Sequence, residues 1–401
     1  MAIKTVKDKV KGSACISNVD KEKNVVKIVA PIDERESVML YGSEVIYTER
    51  DKDNPPYSLQ DYQGPQFIMC PPFGMSNGIA NNEWMNEEDD GVERFIAHEE
   101  WLKLYKDLSS IGMVYLTPTH PKLQDQVYIS NGIWVPFNSN KYCLMPNFRV
   151  EGRKENADLN IPGENAVNGP FMKMLGYKTV YLPDEIDGEP CYFEGSADIK
   201  MINCEDEHGV VYVCGTGIRT SENAARWIEN WLNEIDEDPN SHHKVISYPQ
   251  HDPMTYHLDC SVEPASNTHT VVYYPIDPDT GKVYEDVQEA IDEISKYTTI
   301  IPLNDIDVAR AGACNFVRAG QFIFINSDIQ MLEGVEEFKE DYEIERRKLE
   351  YIQKNVCEPL GLDMNVYCMS EMIKSGACLS CCVADVRGWD FIGQYNWSWK
   401  Y

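Results

Sequence analysis

Phe193-Glu194-Gly195-Ser196-Ala197-Asp198 is followed along the chain by Tyr256-His257-Leu258-Asp259-Cys260, and then by Lys374-Ser375-Gly376-Ala377-Cys378-Leu379-Ser380-Cys381. In that order the three stretches supply an acid, a histidine beside a second acid, and a cysteine in a turn of small residues. Such a set suits covalent attack on a carbon bonded to several nitrogens. Carboxylates hold the positive charge, a thiolate attacks the central carbon, and a histidine moves protons onto the departing nitrogen.

Outward from these stretches, short apolar runs alternate with amphipathic ones, which predicts an α/β fold. Phe67-Ile68-Met69, Val114-Tyr115-Leu116, Val127-Tyr128-Ile129 and Trp134-Val135-Pro136 read as strands, as do the runs at Tyr142-Cys143-Leu144 and Val211-Tyr212-Val213-Cys214. Glu93 to Leu108 reads as a helix. Another is expected from Ser221 to Ile235, opened by Thr220-Ser221-Glu222-Asn223 as a capping sequence. A long charged helix is expected from Val335 to Cys357, with Gly361 beyond its end. The acidic stretch Ile276 to Ile294 reads as a surface insertion and helix. Residues 1–62 stand apart as an extension and linker, with strand-like alternation at Asn24–Val29 and Val38–Tyr41 before the proline-bearing Asp51-Lys52-Asp53-Asn54-Pro55-Pro56. Residues 63–401 are expected to form the catalytic domain.

The formal charge of −30 argues against nucleic acid or an anionic membrane as partner and would steer a small cation toward the surface. The 13 cysteines are an odd number scattered through apolar runs, unlike a secreted disulfide framework. No apolar run is long enough to span a membrane, and Met1-Ala2-Ile3-Lys4-Thr5-Val6-Lys7 lacks a signal-peptide core. A reducing cytoplasm is the expected setting. Cys378, Cys381 and Cys382 lack the paired spacing of a zinc site, so neither metal nor cofactor is expected.

Further tags accompany the three stretches in order: Met69-Cys70-Pro71-Pro72, Asn82-Glu83-Trp84-Met85, Gln124-Asp125-Gln126-Val127-Tyr128-Ile129-Ser130-Asn131-Gly132, Asn147-Phe148-Arg149 with Arg153, and Thr216-Gly217-Ile218-Arg219-Thr220-Ser221. From Phe67 to Arg387 the chain resembles the guanidine-modifying superfamily of arginine deiminases, dimethylarginine dimethylaminohydrolases, arginine dihydrolases and amidinotransferases. Its tags are most similar to those of the arginine dihydrolase-like hydrolases. Glu83 and Gln124 stand where that pattern has proline, and Ala377, Cys378 and Ser380 where it usually has glycines and a basic residue. The resemblance implies a five-bladed α/β propeller of the pentein type around a central substrate pocket, here with an N-terminal β-containing extension.

It also implies roles. Cys381 is the expected nucleophile, with Cys378 and Cys382 as alternatives. His257 is the expected general acid and base; placed on a strand, it would share a face with Asp259 two residues on. Glu194 matches the acid that pairs with the guanidinium and orients the histidine, and Asp198 matches the aspartate after it. Asp125 resembles the carboxylate that grips the remaining guanidinium nitrogens. Arg149, Arg153 and Arg219 are candidates for a substrate carboxylate, and Asn82 and Asn131 for the amino-acid end or a water.

The expected activity is hydrolysis at the guanidinium group of arginine or a derivative, through a covalent amidino-cysteine (thiouronium) intermediate. An amine acceptor in place of water would make the chain an amidinotransferase. A propeller that has lost activity and binds partners is the third alternative. The expected partner is a small cationic guanidino compound, with a homo-oligomer possible.

Overall fold

The computed structural model describes residues 15–20, 25–29, 45–47, 65–85, 91–137, 142–155, 160–206, 209–236 and 242–387. Cys15–Asp20, Val25–Val29 and Val45–Tyr47 form a three-stranded sheet, which gives the extension its β content. The strand expected at Val38–Tyr41 lies outside the described residues.

From Gln66 onward one pattern recurs. Ile199–Asp206 pairs antiparallel with Gly209–Thr216, and helix Glu222–Ile235 then carries the chain to Lys244–Pro249, which pairs parallel with Gly209–Thr216. Val262–Ser266, His269–Tyr273 and Thr299–Leu303 repeat the arrangement around helix Glu285–Ile294. Phe316–Ala319, Phe322–Asn326 and Asp363–Tyr367 repeat it again, with helix Lys339–Ile352 in the crossover. Tyr142–Met145 and Lys178–Tyr181 run parallel across helix Asn165–Met174, and Trp134 bridges antiparallel to Leu144. In the remaining unit the antiparallel strand comes from far along the chain. Val383–Arg387 pairs with Gln66–Met69, which runs parallel to Met113–Leu116 across helix Arg94–Ile111. The class is α/β, in separate small sheets; none closes on itself among the described residues.

The sequence explains these choices locally. A parallel partner requires a crossover, and an amphipathic helix fills it. Helix Glu285–Ile294 buries Val287, Ala290, Ile291 and Ile294 and turns its acids outward, the spacing of a one-sided helix. Gly209–Thr216 is buried almost throughout, as a middle strand covered on both faces must be.

Several expectations change. Val127-Tyr128-Ile129 forms no strand; Tyr128 N bonds back to Asp125 O, and the chain continues as a tight turn over Ile129–Gly132. The apolar run there is buried as core, not as a ladder. Trp134-Val135-Pro136 is reduced to the single bridge at Trp134, because proline has no N–H to extend it. The long helix is a helix over Lys339–Ile352, continued by a π-turn over Gln353–Cys357 and a last short turn Glu358–Leu360 that ends at left-handed Gly361. Ser221 does precede helix Glu222–Ile235, but its hydroxyl accepts from Tyr192 N and not from the helix.

One regularity positions the site. The segment that enters the antiparallel pair of each unit carries polar side chains: Asn131 before Trp134, Glu194 before Ile199, His257 and Asp259 before Val262, Asn315 before Phe316, and Cys381 before Val383.

Candidate active site

His257 and Asp259 do not lie on a strand. His257 caps a tight turn, Leu258–Cys260, and this turn, not strand alternation, brings both side chains inward. His257 Nε2 lies 2.8 Å from Glu194 Oε2, and Asn131 Nδ2 lies 3.2 Å from both ring nitrogens. With Nε2 donating to Glu194, Nδ1 is left as an acceptor toward Asn131 Nδ2. Burial opposes the charge on Glu194, but Arg219 Nη1 at 3.2 Å and His257 outweigh it, holding the carboxyl well below its ordinary range.

Left-handed Gly195 (φ 64°) follows Glu194, and a Cβ there would come within 2.5 Å of Ser130 O and 2.6 Å of Asn131 O. Only glycine lets the Glu194 and Asn131 turns approach so closely.

Asp259 is buried against the cysteine turn. Its Oδ2 accepts from Ser380 Oγ at 2.7 Å and from the Cys381 thiol at 3.5 Å. Burial, and then the negative charge of Asp259, push the Cys381 thiol well above its usual range. Asn315 Nδ2 lies 3.6 Å from Cys381 Sγ, while Asn315 Oδ1 accepts from Ser380 N at 2.8 Å. Asn315 thus holds the start of the turn that carries the sulfur, through Ser380 N and Cys381 Sγ.

Cys381 lines two cavities. A polar one of about 20 Å³, close to the size of one water, is bounded by Asn81, Asn82, Asp125, Asn131, Arg219 and His257, among others. A larger one of about 490 Å³ meets it at Tyr256, His257, Ala377 and Cys381. Cys378 lines only the larger cavity, and burial pushes its thiol up to about 12. Cys382 is fully buried in the apolar cluster with Leu379 and Val383. Among the three cysteines, Cys381 alone lines both cavities and contacts Asp259.

Asp125 accepts from Asn81 Nδ2 at 2.6 Å and from Gln124 Nε2 at 3.2 Å. Burial raises its pKa, and the Arg153 charge is the largest influence opposing that rise. Asn82 is a staple: its Oδ1 accepts from Trp84 N at 3.0 Å and its Nδ2 donates to Ser375 O at 3.0 Å. Gly376 is left-handed (φ 74°), and any Cβ there would strike the Asn82 side chain. Asp198 lies behind the site, where Thr220 Oγ1 at 2.6 Å and Leu258 N at 3.1 Å donate to it. Burial, with Glu194 adding to it against His257, pushes its carboxyl up to about 6.

The three arginines diverge. Arg149 is exposed, donates to Gly217 O and Ile218 O, and lines neither cavity. Arg153 is buried and grips Glu164 bidentately at 2.6 and 2.7 Å. Arg219 lines the polar cavity but donates to Glu194 and, at 2.6 Å, to Asn81 O. Sequence reasoning missed Asn81, Tyr256 and Asn315. A repeat could have exposed the last: Gly312-Ala313-Cys314 before Asn315 recurs as Gly376-Ala377-Cys378 before the candidate nucleophile.

Among the described residues no group of three or more His, Cys, Asp or Glu is placed to hold a metal, and no helix is long and apolar enough to cross a membrane.

No protein-family model and no curated protein matches the chain. Solved structures do. The N-terminal domain of ArgZ with bound product, an arginine dihydrolase from the ornithine-ammonia cycle in Cyanobacteria, superposes with a TM-score of 0.60 at 20 % identity, over 81 % of this chain and 98 % of that one. AgrE in a ternary complex with ornithine and NAD+ gives 0.60 at 21 % identity, over 81 % of this chain and 40 % of that one. A dimethylarginine dimethylaminohydrolase bearing an S-methyl-L-thiocitrulline adduct gives 0.54 at 13 % identity, over 80 % of this chain and 99 % of that one. The fold of this chain is therefore the fold shared by these three proteins.

Proposed function

We propose that the chain is a cytoplasmic, cysteine-dependent hydrolase of guanidinium compounds, built as a five-bladed α/β propeller. Five similar units, with Val383–Arg387 returning to pair with Gln66–Met69, support that architecture. The observation that carries the chemistry is the contact of Cys381 with Asp259, beside a histidine fixed by Glu194 and on a cavity that Asp125 also lines.

The guanidinium group of arginine or an arginine derivative sits between Asp125 and Asp259, expanding the small polar cavity as it enters. Its charge offsets the repulsion and desolvation of those carboxylates and lowers the pKa of Cys381, so that the thiol proton passes to His257. The thiolate bonds to the guanidinium carbon. A C–N bond then breaks, and His257 delivers the proton that the departing ammonia or amine requires. The product is a thiouronium on Cys381. Water attacks that carbon and gives one proton to His257; as the C–S bond breaks, the proton of the new hydroxyl passes to the departing sulfur, leaving a ureido carbonyl and the thiol.

Mass spectrometry of products formed from arginine or its decarboxylated analogue, with and without glycine, tests this reading. The expected outcome is ammonium and a ureido or amine product without need of glycine. Transfer of the amidino group to glycine would make the chain an amidinotransferase. Absence of any product, together with no labelling of Cys381 by 2-chloroacetamidine, would leave a binding module.

A further inference from the structure

The larger cavity holds more than the reacting groups. Its wall carries Asp307, Asp328, Asp341 and Glu345 against one basic side chain, Arg310. Arg310 is already held by both carboxylate oxygens of Asp252, at 2.8 and 3.2 Å. Asp307 faces Arg347 at 3.1 Å, and Glu345 faces Lys348 at 2.8 Å. Among the described residues, Asp328 and Asp341 have no salt-bridge partner.

A second observation is independent of these acids. Asn326 is 1 % exposed and lines the same cavity, and its side-chain oxygen accepts no hydrogen bond. A buried acceptor left without a donor is costly, which makes it a place where a ligand N–H is favoured. An alkylammonium has three donors and no acceptor, and so matches an amide oxygen flanked by carboxylates. Trp84, Met254, Leu332, Phe338 and Ile344 add apolar wall that suits a methylene chain. The opposite requirement, a guanidinium free to grip a carboxylate, is not met by the candidates. Arg149 is turned to carbonyls outside, Arg153 to Glu164, and Arg219 to Glu194.

We propose that the larger cavity is a subsite for a cationic amine tail, so that the substrate is a guanidinoalkylamine and not a guanidino compound ending in a carboxylate. The proposal rests on the guanidine-hydrolase reading for the other end of the ligand. Asn326 and Asp328 accept from the tail ammonium, with Asp341 nearer the cavity mouth, while the guanidinium head lies at Cys381.

Calorimetric titration of the full chain carrying Cys381→Ser, with agmatine, butylguanidine and arginine, tests the subsite without turnover. Agmatine is expected to bind about tenfold or more tightly than either of the others. Asp328→Asn in that background should draw the agmatine-to-butylguanidine preference toward one. Asp341→Asn, at an exposed position where folding is not at stake, should narrow it less. Arginine binding as tightly as agmatine would overturn the proposal, as would equal losses of agmatine and butylguanidine in both variants, which mark a merely structural role. Labelling of the wild-type protein by 2-chloroacetamidine reports separately on the hydrolase reading. If Cys381 is not labelled while amine-selective binding persists, the chemistry falls and the subsite stands.

Discussion

The phenol of Tyr256 donates a hydrogen bond to Gly376 O at 2.8 Å. It joins the turn that carries His257 to the turn that carries Cys381, and the Arg219 guanidinium lies over the same ring at 4.6 Å. Tyr256 is thus a positioning residue between the proposed nucleophile and proton carrier. Tyr256→Phe keeps the ring and removes the tie. The expected result is a fall in kcat of about ten- to a hundredfold, with KM changed little and stability lowered by about 1 kcal/mol. Steady-state kinetics and denaturant melts measure both; an unchanged kcat would show that the tie is structural only.

Cys381→Ser is expected to lower turnover by more than about 10³-fold with the fold intact by circular dichroism. Cys378→Ser and Cys382→Ser should keep turnover, although Cys382, in the apolar core, should lose stability. Loss of turnover in Cys378→Ser with retention in Cys381→Ser would reassign the nucleophile.

The raised Cys381 pKa makes a prediction with a definite sign. Burial and Asp259 both disfavour the thiolate, so the thiol form dominates at neutral pH and the reactive form grows as pH rises. Alkylation by neutral iodoacetamide should therefore be slow at pH 7 and still climbing beyond pH 9. A cationic amidine label beside the sulfur favours the thiolate, so its rate profile should lie at lower pH. Peptide-level labelling rates from pH 6 to 10 measure the two curves, and coincident curves would contradict a cation-assisted thiol.

Arg153 and Glu164 form a buried bidentate pair. Arg153→Met leaves a carboxylate with nothing to hold its charge, at a cost of about 3–5 kcal/mol. The deficit should shrink as pH falls, because Glu164 can then take a proton before unfolding becomes favourable. Adding Glu164→Met should recover most of the loss. Urea denaturation at pH 5 and pH 8 tests both statements; a deficit independent of pH would place the cost in packing instead of charge.

The parts of the site legible in the sequence are those where chemistry dictates residue type. An acid, a histidine with an acid two residues on, and a cysteine after small residues stand out because few alternatives do their work. His257 and Asp259 show the limit of that reading, since they converge from a tight turn and not from one face of a strand. Asn315 and Asn81 were not legible. They act by fixing a backbone N–H and a neighbouring carboxylate, and an asparagine that does so looks in sequence like any turn asparagine. Arg149 had the right type and neighbourhood, but its guanidinium found carbonyls on the outside. The recurring strand, strand, helix, strand pattern was hidden for another reason. Its strands are short, and its helices share only a one-sided apolar pattern, which many sequences satisfy.

The antiparallel pairing of Val383–Arg387 with Gln66–Met69 has a consequence for biosynthesis. Cys381 leaves the ribosome after every other member of the proposed site, just ahead of the strand that completes the sheet begun by Gln66–Met69. Until then Gln66–Met69 has an open edge, a hazard for mispairing while the chain is growing. A nascent or clipped chain ending before Ser380 would carry the carboxylates and the histidine without Cys381. Arrival of the proposed nucleophile is thereby coupled to completion of the Gln66–Met69 sheet.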